Sequence, residues 1–312
     1  MTKYVAQRLV LLILIFFVVS FLTFLMMHVV PGDPARIMAG MRATQHDLEL
    51  IRQRLNLNKP ILQQYLTYMG GILRGNLGTS IRRNRPVSVM ILARLPYTFM
   101  LAGVGMIIAV VGSLIAGVIA AMYNNTLLDY LTMIGALFGV SMADFWKGLM
   151  LMLLFALRLR WLPASGAGES LFSMDGLRHL ILPALTLGLG SGAYLTRLTR
   201  SSMLDVLNED YITTARAKGL RQGTVILKHA LRNALLPVLT MLGIQFGLLL
   251  GGAVIIERVF AWPGVGRLTV DSIFAKDFPV VQGCVLVFAM SFALVTLTVD
   301  ILYTYINPRI RY

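Results

Sequence analysis

Charge is scarce in this chain. Only 13% of its 312 residues are Asp, Glu, Lys or Arg, where a soluble domain carries about 25%. The hydrophobic share is 57%, above the soluble norm of about 45–50%, so the composition is that of an integral membrane protein. Cysteine occurs once, at Cys284 within an apolar run, which excludes a disulfide framework or a thiolate metal cluster built by one chain. His28, His179 and His229 are far apart and sit at the ends of apolar runs, without the spacing of a helical metal pair. No Gly-x-x-x-x-Gly-Lys-Ser/Thr string occurs, so no loop is available to cradle nucleotide phosphates. The strings Gly188-Leu-Gly190-Ser-Gly192 and Gly264-Val-Gly266 lack the lysine and the preceding strand, and read as helix packing and a turn. An intramembrane enzyme would need a nucleophile and base, or a metal cluster, within the apolar runs, and neither is present. Internal repeats, the mark of many secondary transporters, are also missing.

What is abundant is apolar length and positive charge at its margins. The formal net charge of +14 would suggest nucleic acid in a soluble protein. Here the basic residues cluster near the ends of apolar runs, where anchoring and topology account for them, and no soluble domain remains to carry a base-reading face. The first run, residues 9–30, is about 33 Å long as a helix, enough to cross a bilayer core. It ends in Pro31-Gly32-Asp33-Pro34 rather than a small-residue cleavage site, so it reads as a retained span and not a signal peptide. Further spans are expected near 98–122, 131–157, 180–201, 236–256 and 280–305, which makes six. Gly135, Gly139, Gly148, Gly243, Gly247, Gly251 and Gly252 recur in the third and fifth, where small residues let helix backbones approach closely. Lys and Arg near the span ends favour cytoplasmic N- and C-termini, because the basic residues of the opposite side lie mostly in one long loop, whose translocation is indifferent to charge.

That loop, residues 31–96, has helical pattern. Thr44 is placed to cap a helix whose Leu48, Ile51 and Leu55 share a face, and Pro60 to open another with Ile61, Tyr65, Met69 and Leu73. It reads as a helical cap outside the membrane, and the Arg82-Arg83-Asn84-Arg85-Pro86 run within it as a solvated face. A second polar stretch, residues 202–235, is too long for a turn and too short for a domain. Asn208 can cap a helix with Glu209 and Asp210 in its first turn and Arg216 and Lys218 in its last, stopped by Gly219 in a left-handed conformation. A second short helix, with Val225, Leu227, Leu231 and Leu235 as its apolar positions, is expected to end at Pro237.

Asp210-Tyr-Ile-Thr-Thr-Ala215-Arg-Ala217-Lys-Gly219-Leu220, with Lys228-His-Ala-Leu-Arg-Asn233-Ala-Leu-Leu-Pro237, resembles the coupling motif of permease subunits of bacterial ABC importers. More narrowly, it is similar to the dipeptide, oligopeptide and nickel permease family. Pro31-Gly32-Asp33-Pro34, Phe260-Ala-Trp262-Pro263-Gly264-Val-Gly266 and Asn307-Pro308-Arg309 fit the same family in the same order, so the likeness covers essentially the whole chain. Thr213 and Thr214 stand where the wider superfamily has Glu and Ala, His229 falls at its Ile, and the Leu-Pro pair comes later, at Leu236-Pro237. The peptide branch shares this departure.

The resemblance implies an all-α membrane fold of six spans, divided as a first helix (1–30), an extracytoplasmic helical loop (31–96), a permease core (97–306) containing the coupling loop 202–235, and a cytoplasmic tail (307–312). It implies a bacterial inner-membrane location and a non-enzymatic subunit that binds no cofactor, ATP and Mg being held by partner subunits. The expected partners are a second homologous permease, two ATPase subunits, an extracytoplasmic substrate-binding protein and membrane lipid. Asp210, Tyr211, Thr214, Ala215, Arg216, Ala217, Lys218, Gly219 and Leu220 are the expected ATPase-coupling segment. The expected cargo is a dipeptide, an oligopeptide or a glutathione-like peptide; a nickel or metal-chelate cargo belongs to the same family and is not excluded by the residues. Gln245, the one amide in the fifth span, and Glu257 with Arg258 at its end, are candidates for lining the pathway or a gate. Asp300, in the last span, is expected to have a structural partner.

Overall fold

A computed structural model describes residues 2–29, 35–36, 44–54 and 58–306. Pro31-Gly32-Asp33-Pro34, Leu55 and the tail with Asn307-Pro308-Arg309 lie outside the described residues, as do the side chains of His28, Ile51 and Asp300. Among the described residues every regular element is helical, apart from an isolated bridge between Thr79 and Pro86. In chain order these are α1 (Thr2–Val29), α2 (Gln45–Arg54), α3 (Ile61–Leu73), α4 (Val87–Leu92), α5 (Leu95–Met122), α6 (Leu127–Ser141), α7 (Asp144–Leu151), α8 (Met174–Leu207), α9 (Asp210–Ala217), α10 (Gln222–Thr224), α11 (Leu231–Val259), α12 (Val265–Phe274) and α13 (Phe278–Ile306). Two π segments, Met152–Arg158 and Val225–Ala230, extend α7 and join α10 to α11.

Four helical stretches are long and apolar enough to cross a membrane, Gln7–Met26, Val87–Met122, Gln222–Val259 and Phe278–Val299, or up to five if a bent pair is counted as one span. The bent pair is the expected third span, which is broken: α6 and the stretch from Asp144 to Arg158 meet at 111°. The break falls where Met142 and Ala143 are extended, with ψ of 134° and 139°. The expected fourth span lies within α8, whose 34 residues give about 51 Å of helix. It falls short on apolarity, not on length. Fifteen of its residues, among them Gly188, Gly192, Thr196 and Thr199, are buried against neighbouring helices, and a helix face that packs on protein has no need of a lipid-like surface.

By its internal contacts the chain forms two compact units, Met1–Pro96 with Pro263–Leu297, and Tyr97–Trp262 with Thr298–Arg311. In the first unit, part of the predicted helical cap packs along the C-terminal half of α1. Tyr65 of α3 sets its ring edge-on to Phe21 and Phe24, and its hydroxyl lies 3.0 Å from that of Ser20. Met69 also faces inward, but Ile61 and Leu73 are exposed, so only the middle of the predicted apolar face is used. The Arg82–Pro86 run is a solvated turn, as expected, folded around a side chain that the sequence did not single out. Buried Asp277 accepts from the Ser80 hydroxyl at 2.5 Å and the Ile81 amide at 3.0 Å. Below it, Val87, Ile91, Val265, Leu268, Val280 and Cys284 form an apolar core, in which the cysteine is a small buried hydrophobe.

The second unit is organised around α8. Its glycines bring α5 within backbone contact: a Cβ on Gly188 would lie 2.8 Å from the Gly105 carbonyl, and one on Gly117 of α5 would lie 2.6 Å from Thr199 Cβ. Gly139, Gly148 and Gly243 are packing positions of the same kind, against Ala193, Phe260 and Val299. Gly135 and Gly251 are not; both face open space, Gly135 on an apolar groove of about 500 Å³. Asp129, 2% exposed, receives a two-pronged bond from Arg200 at 2.5 and 2.6 Å, which fastens the start of α6 to α8.

Candidate coupling element and mid-depth cavity

After α8 the chain turns through Asn208, which caps the end of α8 and not the start of α9; Glu209 takes that second place, so the expected cap is displaced by one residue. α9 is held by two side chains. Ile212 and Ala215 are buried with Ala121, Met203, Val225, Ile226, Ala230 and Ala234 in a small apolar cluster. Their three-residue spacing puts both on one face of α9. The other face is open: Asp210, Tyr211, Thr214, Arg216, Ala217, Lys218, Gly219 and Leu220 are all exposed. Thus eight of the nine predicted coupling residues present a surface, and the ninth, Ala215, is an anchor beneath it. Asn233 of α11 donates to the Tyr211 hydroxyl at 2.7 Å and ties the outward face back to the bundle.

Gly219 has φ of +76°, and its amide donates to the Arg216 carbonyl at 2.9 Å, the left-handed stop expected of it. Beyond it the structure departs from expectation. The second helix does not end at Pro237 but continues through α10, the π segment and α11 as one stretch, Gln222–Val259. Before Pro237 its buried side chains are Val225, Ile226, Ala230 and Ala234, while Leu227 is exposed. Wider π turns rotate the face that an α-helical period would predict, and a proline inside a membrane helix is tolerated where neighbouring turns adjust.

The candidates in the fifth span separate. Glu257 is 0% exposed and accepts from the Thr98 hydroxyl at 2.6 Å, beside Trp262, whose indole donates to the Tyr97 carbonyl at 3.0 Å. Here it joins α11 to α5 within the packed core and lines none of the cavities described. Arg258 is exposed at the end of α11. Gln245 does line a cavity of about 230 Å³, bordered by Asp144, Lys147, Gly190, Ser191, Tyr194 and Gly252 among others.

That cavity contains charges missed by the sequence reading, although their signal was visible: Asp144 and Lys147 interrupt the apolar run 131–157. Lys147, 7% exposed, lies 2.7 Å from Asp144 Oδ1 and donates to the Gly139 carbonyl at 3.0 Å. The pair therefore closes the break in the span, with the ammonium on the C-terminal carbonyls of α6 and the carboxylate in the first turn of α7, each where the helix dipole favours it.

A bundle of long helices with a broken span and an exposed short helix set after a central helix has the fold of an ABC transporter permease. The structure of the MetNI methionine ABC transporter in inward-facing conformations superposes with a TM-score of 0.58 at 14% identity, over 70% of this chain and 96% of that one. An amino acid ABC transporter crystallised with histidines superposes with a TM-score of 0.51 at 15% identity, over 72% and 95%. The chain belongs to the family of binding-protein-dependent transport system inner membrane components, which matches residues 113–312, with that family's N-terminal region matching 1–102. Among curated proteins it is 46% identical, over the full 312 residues of both chains, to the glutathione transport system permease protein GsiC of Escherichia coli K12. The same identity and coverage hold for GsiC of Shigella dysenteriae serotype 1.

Proposed function

We propose that this chain is one of two homologous permease subunits of an ATP-driven importer of peptides, of the glutathione or short-peptide class. The observation that carries the cargo is the 46% identity, without truncation of either chain, to glutathione permeases. The exposed α9 surface from Asp210 to Leu220 is the docking face for a cytoplasmic ATPase, which supplies the nucleotide and Mg chemistry. With α9 in the cytoplasm, the helical loop before α5 lies on the opposite side, where a substrate-binding protein delivers cargo, and both termini are cytoplasmic. ATPase closure then drives the bundle between two discrete states, and the cargo moves because its affinity differs between them.

Co-purification from the native membrane, followed by ligand identification on the recovered binding protein, tests this reading. The expected result is a complex with a second permease, ATPase subunits and a peptide-loaded binding protein. Recovery of a binding protein loaded with a nickel chelate would overturn the peptide assignment, and recovery without an ATPase would overturn the coupling role of α9.

A further inference from the structure

The cavity around Gln245 is placed at mid-depth: Gly190 and Gln245 stand near the midpoints of α8 and α11, and Asp144 stands at the break between α6 and α7. Burying an amide without a partner is costly, so such groups in native interiors are normally satisfied. Gln245 is only 7% exposed and its side chain has no hydrogen bond among the described residues; its amide is not sealed off but opens on this cavity. Its capacity, two donors and a carbonyl acceptor, matches the needs of one peptide bond. Beside it, Lys147 spends two of its three donors on Asp144 and Gly139, and Asp144 engages Lys147 through Oδ1, with a carboxylate 39% exposed to the cavity side. The glycines make the room. A Cβ on Gly190 would come within 2.8 Å of the Lys147 ammonium, and one on Gly252 within 3.6 Å of Asp144 Oδ2.

We infer that this cavity is a transit site for a peptide carrying an ammonium and a carboxylate on one carbon, Asp144 and Lys147 receiving that zwitterionic head and Gln245 an adjoining amide. The adjacent opposite charges of the pair are net neutral. They favour a head group that is itself neutral and dipolar over a lone cation or anion, whose uncompensated charge would be expensive at mid-membrane. A γ-linked glutamyl peptide has such a head; its α-linked isomer separates the two charges. The inference rests on the peptide reading above.

The test is uptake by the complete importer, reconstituted in vesicles, of glutathione and of the α-linked isomer Glu-Cys-Gly, each supplied on saturating binding protein. Gln245→Leu should lower uptake of both peptides about fivefold, the loss of one hydrogen bond. Its thermal midpoint should not fall, because no partner within the described chain is orphaned. Asp144→Asn should lower glutathione uptake about tenfold more than uptake of the α-linked isomer, a change of ratio that mere loosening of the α6–α7 break would not produce. Normal uptake by the unaltered importer with unchanged uptake in Gln245→Leu, or an unchanged ratio in Asp144→Asn, overturns the site alone. Failure of the unaltered importer to take up either peptide overturns the peptide reading and this site with it.

Discussion

Replacing Gly219 with valine should separate ATP hydrolysis from uptake. Gly219 has φ of +76°, and a Cβ placed on it would meet nothing within 4 Å. The cost of substitution is therefore conformational and not steric crowding by neighbours. An L-residue in the left-handed region costs roughly 1–2 kcal/mol, with β-branched residues at the upper end and Asn near the lower. About 1.4 kcal/mol changes an equilibrium tenfold, so valine should deplete the bent arrangement after α9 by roughly an order of magnitude. α9 itself should survive, since Ile212 and Ala215 hold it in the cluster with Met203 and Val225. The assay pairs peptide uptake with ATP turnover in reconstituted importer for Gly219→Asn, Gly219→Ala and Gly219→Val. Transport per ATP should decline in that order, with Asn near the unaltered value. Full uptake and full cargo-stimulated ATP turnover in Gly219→Val would refute the claim that the bend transmits the stroke.

Arg200→Met should destabilise the folded chain by about 1–3 kcal/mol, because it leaves the Asp129 carboxylate without its cation at a site that water can still approach from the Arg200 side. A lowered thermal midpoint in detergent, partly restored by adding Asp129→Asn, checks it. Gly117→Leu should cost about 1–3 kcal/mol or more, since even its Cβ would stand 2.6 Å from Thr199 Cβ, whereas Gly112→Ala, with nothing within 4 Å, should be neutral or stabilising by thermal melt.

The short helix α9 and its stop were legible because their signals are local. Gly219 after Arg216 and Lys218 marks a helix stop, and Ile212 with Ala215 marks an inward face. The continuation through Pro237 was not legible, because proline usually ends a helix in water but is tolerated inside a membrane-length helix where neighbouring turns adjust, and a π turn leaves no compositional trace. The broken third span was misread for a related reason. Asp144 and Lys147 were in view within residues 131–157, but overall apolar length outweighed them, and only the fold shows them closing two helix ends. α8 was recognised by length and then fell below the apolarity of a lipid-facing span, because Gly188, Gly192 and Thr196 answer to neighbouring helices. Gln245 was singled out as the lone amide of its span, but only the cavity distinguishes an unpaired amide from one bonded across helices.

The uninterrupted stretch Gln222–Val259 has a mechanical consequence. At about 1.5 Å per residue, roughly 30 Å of it separates Val225, beside α9, from Gln245, and about 21 Å separates Gln245 from Val259. If it tilts as a stiff rod pivoting at the cavity, a rotation of about 10° displaces its α9 end by about 5 Å and its far end by nearly 4 Å in the opposite sense. The fulcrum barely moves. Cargo held there would see one doorway widen as the other narrows, with little work done against its own contacts.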